Sequence, residues 1–246
     1  MRVGGLHRSS ATVAAVLLAF ILNGCAAKPA GPDNDPYEPF NRAMFDVNMA
    51  LDKAVMRPVA KGYNSVVPEP ARTGVHNVLV NLNEPVVFAN LLLQGKVQDA
   101  GGTLARFVLD SSVGVGGLVD VGARAGLPAQ DTDFGVTLGV WGLDEGAYLM
   151  LPLLGPAPPL DLAGRGVDTF LDPVTYFDFR SKFYYEGGRA ALQIVDLRAR
   201  NIDTLDEIER SSIDFYAATR SLYLQHRAAQ VGGSAPDTPD DPAPAN

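Results

Sequence analysis

The chain has 246 residues, with 20 basic and 28 acidic side chains and a formal net charge of -8. So acidic a chain, with no basic patch interleaved with aromatics, argues against nucleic-acid binding, and a single cysteine rules out an internal disulfide framework. An apolar fraction of 47% together with 25 glycines exceeds what solubility asks of a domain this size, and suits a protein that contacts lipid without threading it.

Residues 1–24 read as a secretory signal: Arg2 and Arg8 precede the uncharged run Val13 to Leu22. That run is too short for a membrane span of about 20 residues. Leu22-Asn23-Gly24-Cys25 resembles the bacterial lipobox, in which Cys25 becomes the lipid-bearing first residue. Residues 25–34, punctuated by Pro29, Gly31 and Pro32, read as a tether. Ala26 stands second after the cut, which by resemblance to lipoprotein sorting in enterobacteria directs the protein to the outer membrane.

Residues 35–229 read as one mainly α-helical domain. A helix is expected from Phe40 to Met56, stopped by Pro58. Phe40, Met44, Val47, Leu51 and Val55 fall on one side of it and Phe45, Met49 and Met56 on another, with Asn41, Asn48 and Asp52 as a narrow polar strip between. Such a helix is buried on two sides, or has one face on protein and the other on lipid. Val75 to Leu82 carries helical spacing, and Glu84-Pro85 restarts a helix over Val86 to Gln94. The one-turn pairs Asn77/Asn81 and Asn90/Gln94 read as satisfied packing groups. Leu104, Phe107 and Val108 mark a further helix ending near Asp110.

Glycine dominates the stretch from Ser111 to Gly146. Gly114 and Gly116 meet Val119 where a third phosphate-loop glycine would stand, so no nucleotide site is assigned. Gly135, Gly139, Gly142 and Gly146 recur at helical intervals, which makes either a bare helix face or the hinges of a mobile loop; the helix cost of glycine favours the loop. Leu149 to Leu154 is an apolar run broken by Pro152. Short helices are expected around Val167 to Val174 and Ala191 to Leu197, and a last helix to about Arg227 behind a Ser211/Asp214 capping box. Strands are scarce. Residues 230–246, rich in proline and aspartate, read as a disordered tail.

No catalytic constellation emerges. His76 and His226 lack a paired metal spacing, no Gly-x-Ser-x-Gly elbow occurs, and acid pairs read as solvated surface charge. The expectation is a protein that is not an enzyme, with no metal and no cofactor.

The motifs, in order, resemble the MlaA/VacJ family of outer-membrane phospholipid-transport lipoproteins. They include Asp35-Pro36, Phe40-Asn41-Arg42, Asn48, Arg57-Pro58-Val59, Asn81-Leu82, Glu84-Pro85, Leu93-Gln94-Gly95 and Arg106-Phe107. Gly117-Leu118, Phe134-Gly135, Thr137-Leu138-Gly139, Leu151-Pro152, Gly155-Pro156 and Asp161 continue the likeness, and Ile213 to Arg227 resembles the closing helix. Two positions depart: Asp110 stands where asparagine is usual, and Leu160 precedes Asp161 where arginine is usual. The resemblance implies a ring-like helical domain lying in the membrane around an amphipathic channel. Phospholipid from the outer leaflet would pass through it to a periplasmic phospholipid carrier, with a trimeric porin holding the ring in place. On that footing Asn41, Asn48 and Asp52 are candidate channel-lining residues, and residues 127–143 a candidate gating loop with Gly135, Gly139 and Gly142 as hinges. The rival expectation is a structural or adhesive envelope lipoprotein that binds a protein partner; a lipid hydrolase or acyltransferase is weaker.

Overall fold

The computed structural model describes residues 35–232; the signal, Cys25, the tether and residues 233–246 lie outside them. The described chain is helical almost throughout. Helix α1 (Glu38–Leu51) runs through a π turn (Asp52–Met56) directly into α2 (Arg57–Val66). Pro58 therefore does not stop the helix as expected. In the π turn the N–H of Arg57 reaches back five residues to the carbonyl of Asp52, and this widening accommodates a proline that has no N–H to give. Likewise α3 (Glu69–Leu93) is one helix of 25 residues with Pro85 inside it, where two were expected. Gly95 ends it at positive φ: its N–H bonds the carbonyl of Leu92, and the N–H of Lys96 that of Leu91, the crossed pair of a Schellman stop.

Helix α4 (Val97–Ser112) folds back against α3, and a glycine-rich turn leads to the short α5 (Val121–Arg124), capped by Asp120. Helix α6 (Phe134–Val140) lies on α7 (Pro159–Leu171). Between them β1 (Met150–Leu151) pairs antiparallel with β2 (Gly155–Pro156), Met150 opposite Pro156. A 3-10 turn (Pro173–Tyr176) precedes α8 (Lys182–Arg200), α9 (Ile202–Ser211) and α10 (Phe215–Gly232). Sequence periodicity missed α9. Ser211 closes that helix, and it is Asp214 that accepts the N–H of Ala217 at the start of α10 (3.0 Å). Helix α10 continues past residue 229, and Gln230 is buried.

Contacts between helices close on themselves. Helix α3 touches α8, α8 touches α9, α9 touches α10, α10 touches α6, and α6 returns to α3. Helix α1 joins this circuit through Phe45, edge-on to Phe215 and Tyr216 with ring centroids 5.3 and 5.6 Å apart. The apolar core is split into two small clusters, Phe45/Tyr148/Met150/Tyr216 and Val87/Leu91/Ala100.

Candidate functional site

The side chains of this domain are distributed inside out. Among the described residues, thirteen polar or charged side chains are buried, as many as the apolar ones, while large apolar side chains are exposed along most helices. Water favours the opposite arrangement, and the exposed apolar groups share the outer surface with charges such as Asp46, Lys61 and Glu69, an amphipathic exterior. Helix α4 shows it plainly. Thr103, Arg106 and Asp110 point inward at helical spacing, and Val97, Leu104 and Val108 point out, Val97 with 67% of its surface exposed. Around the 3-10 turn the exposed groups are aromatic: Phe170, Tyr176, Phe177, Phe183 (82%) and Tyr184 (78%), interleaved with Asp178, Arg180 and Glu186. Rings mixed with charges suit the boundary between acyl chains and water. Among the described residues no helix is long and apolar enough to cross a membrane.

The interior is organised by ion pairs. Arg106, 4% exposed, donates from Nε to Glu84 (2.8 Å) and from Nη2 to Asp120 (2.7 Å), and its Nη1 reaches the carbonyl of Leu127 (3.0 Å). Asp110 accepts the N–H groups of Val121 (2.7 Å) and Gly122 (2.9 Å). These carboxylates crowd one guanidinium in a space closed to water. Burial therefore pushes the Glu84 carboxyl up to about 7, against the pull of Arg106, with Asp110 and Asp120 adding to the rise. A second centre joins α6, α7 and α10. Arg227 holds Asp133 (2.7 Å) and Asp161, and the Tyr223 hydroxyl also donates to Asp161. A third joins α3, α6 and α7: Asn90 donates to Asp168 (2.8 Å) and accepts from Thr137 (2.8 Å), while Gln94 donates to Thr132 (2.7 Å). Burial raises the Asp168 carboxyl, restrained by Asn90 and the N–H of Phe134. Reading such acids as solvated surface charge was therefore an error. The signal was available in the polar stripe Thr103/Arg106/Asp110, set opposite Leu104 and Val108.

The candidate lining residues occupy different settings. Asn41 is completely buried: its amide donates to Asp35 (2.7 Å) and to the carbonyl of Tyr148 (3.0 Å), and its oxygen accepts the N–H of Met150 (2.8 Å). Every polar atom of that side chain serves the joint between α1 and the β hairpin, so it lines no open path. Half-buried Asn48 clamps the same hairpin, donating to the carbonyl of Leu151 (2.9 Å) and accepting the N–H of Leu153 (2.8 Å). Asp52 takes Arg198 of α8 in a two-pronged pair (2.7 and 3.0 Å), and both residues border an open cleft. Of the two faces of α1, Phe45 is buried and Met49 half-buried, while Met44 on the other face also packs against that core and Phe40 and Val47 are exposed. One face thus lies on protein and the other is only partly free.

The candidate hinges also divide. Gly135 and Gly139 lie within α6, a helix where a loop was expected. A Cβ at Gly135 would stand 2.6 Å from Arg227 Nη2, one at Gly139 2.7 Å from Val231, and one on the facing Gly164 of α7 2.8 Å from the Cα of Gly135. Gly164 and Gly135 bring α7 and α6 together backbone to backbone, and side chains of α10 fill the space over Gly135 and Gly139, so neither glycine is a free hinge. Asp133 fixes the start of α6 by accepting the N–H of Val136 (2.8 Å). Gly142 differs: at φ +89° with open space around it, it makes the Schellman stop of α6, its N–H bonding Gly139 and that of Leu143 bonding Leu138.

The family model of the MlaA lipoprotein matches residues 33–230 of this chain. The chain belongs to the MlaA lipoprotein family. The intermembrane phospholipid transport system lipoprotein MlaA of Haemophilus influenzae is 33% identical to it over 237 residues, covering 91% of both chains. The Escherichia coli protein of the same name is 35% identical over 213 residues, covering 83% of this chain and 82% of its own. A solved structure from work on the maintenance of bacterial outer membrane lipid asymmetry superposes with a TM-score of 0.73 at 34% identity, over 80% of this chain and 98% of that one. Asp110 on α4 accepts the first two N–H groups of α5 alongside its cap Asp120, and Asp161, preceded by Leu160, pairs with Arg227 on α10.

Proposed function

We propose that this lipoprotein, anchored by Cys25 at the periplasmic side of the outer membrane, removes mislocalised phospholipid from the outer leaflet and so maintains lipid asymmetry. The inside-out distribution of side chains carries this reading. A closed circuit of helices with an apolar outside and a charged inside, and no membrane-crossing helix among the described residues, can lie within a leaflet and offer headgroups a polar way through it. Family membership and the names of the relatives support the same substrate class. The circuit surrounds an amphipathic channel through which the lipid passes to a periplasmic phospholipid carrier, and a trimeric porin seats the ring in the membrane. Residues 127–143 form the gate, with rigid α6 as its leaf and Gly142 as its hinge. The protein has no catalytic step of its own; lipid moves intact.

The test is the amount of phospholipid in the outer leaflet, read with a membrane-impermeant amine label in cells with and without the gene. Deletion raises it, and the wild-type gene, but not Cys25→Ala, restores it. An unchanged outer leaflet in cells lacking any second copy of the pathway would overturn the proposal in favour of a structural envelope lipoprotein.

A further inference from the structure

Residues 120–127, which carry α5, are pinned to α4 through a buried charge cluster. Arg106 donates to Asp120 (2.7 Å) and to the carbonyl of Leu127 (3.0 Å), one at each end of the segment, and between them Asp110 accepts the N–H groups of Val121 (2.7 Å) and Gly122 (2.9 Å). The backbone of Gly122 lies so close on the Arg106 stem that a Cβ there would stand 2.6 Å from its Cγ. The segment is thus a clasp whose two ends share one guanidinium. That guanidinium is also claimed from the other side, because Glu84 of α3 accepts from its Nε (2.8 Å). Three carboxylates, Glu84, Asp110 and Asp120, therefore surround a single cation.

An excess of negative charge is costly where water is shut out, so one of the three carboxyls takes a proton instead. Their partners name Glu84. Asp110 is held by two backbone N–H groups, and Asp120 accepts the N–H of Ala123 with 27% of its side chain exposed. Glu84 is buried, has Arg106 as its donor, and its Oε2 accepts from none among the described residues. The other elements on α3 bring their charges elsewhere: Arg189 of α8 is paired with Asp172 (2.6 Å) near Leu82, Asp196 lies beside His76, and Asp168 of α7 meets Asn90. Burial holds the Glu84 proton up to about 7. We propose that this proton closes the clasp. With it, Arg106 serves Asp120 and Leu127; without it, the ionised Glu84 draws Arg106 toward itself and repels Asp120, the one carboxylate with a way to water, and residues 120–127 loosen from α4. Residues 127–143 begin where the clasp ends, so the same proton sets how firmly the gate is held there, and that last step alone rests on the transport reading.

Hydrogen exchange reads the clasp directly: the full-length acylated protein, in nanodiscs of phosphatidylethanolamine and phosphatidylglycerol, is followed by mass spectrometry from about pH 5 to about pH 9, as protection factors that remove the intrinsic effect of pH. Peptides over residues 120–127 lose protection several-fold as pH rises through about 7, while those at the joint around Asn41 stay constant. Glu84→Gln, which cannot ionise, keeps the clasp protected throughout. Asp110→Asn retains the oxygen that accepts the two N–H groups but removes one anion, and moves the transition to lower pH. Wild-type protection indifferent to pH would overturn the switch without any variant. So would a transition that survives Glu84→Gln, or one that Asp110→Asn leaves in place. Peptides over residues 128–133 follow the same transition; if they stay fixed, the coupling to the gate is overturned. A clasp that titrates alongside an outer leaflet unaffected by gene deletion would sink the transport reading and leave the switch standing.

Discussion

Asn41 offers the sharpest test at the scale of single residues. Removing its amide strands the N–H of Met150, the carbonyl of Tyr148 and one oxygen of Asp35 in a dry joint. Asn41→Ala is therefore expected to cost about 2–4 kcal/mol in urea unfolding in detergent micelles, and Asn48→Ala about half as much; a channel-lining amide would cost almost nothing. Spacing on α1 placed Asn41, Asn48 and Asp52 in one strip but was silent about what faces them, because their partners lie more than 100 residues away. Glu84 makes a prediction in pH. Its folded-state pKa stands at about 7 against an ordinary 4.5, so between those values the native protein keeps a proton that the unfolded chain has lost. Stability then falls as pH rises from about 4.5 to 7 and levels off above. Glu84→Gln removes this slope, and the difference between the two proteins changes by on the order of 1–3 kcal/mol across the window, as unfolding at each pH will show.

Helices were legible in kind and misjudged at their joints. Pro58 and Pro85 read as breaks because a proline usually ends a helix, yet a π turn absorbs the first and the second lies inside a helix held by tertiary contacts on both sides. The glycines of α6 carried two readings, and what decides between them lies elsewhere in the chain: Gly164 on α7 and Val231 on α10. Gly135→Ala and Gly164→Ala should each destabilise by at least about 2 kcal/mol through overpacking, with no selective effect on lipid movement. Gly142→Ala meets open space and bears only the strain of positive φ, about 1 kcal/mol; if Gly142 is the hinge, its transport rate falls while its unfolding midpoint barely moves. Equal losses of stability at all three positions would refute this division.

For the molecule as a whole, composition announced surplus apolar surface but could not say which side of each helix would carry it. The two stripes of α4 are visible in its spacing, but which of them turns inward is decided only once α4 has a neighbour. The resulting expectation is that a chain begun at Ala26, with no acyl group, still floats with phosphatidylethanolamine and phosphatidylglycerol vesicles; recovery in the aqueous fraction would mean that a protein partner covers the exposed surface. The closed circuit of helices also has a bearing on how the molecule is made. Helix α1 docks through Arg42 on Asp214, held bidentate at 2.6 and 3.1 Å, and the Tyr216 hydroxyl reaches Asp35, a separation of 181 residues. Its first helix thus cannot complete its docking until its last has been synthesised, and contacts so distant in sequence form slowly. A truncation at α10 would therefore be felt first at the opposite end of the chain.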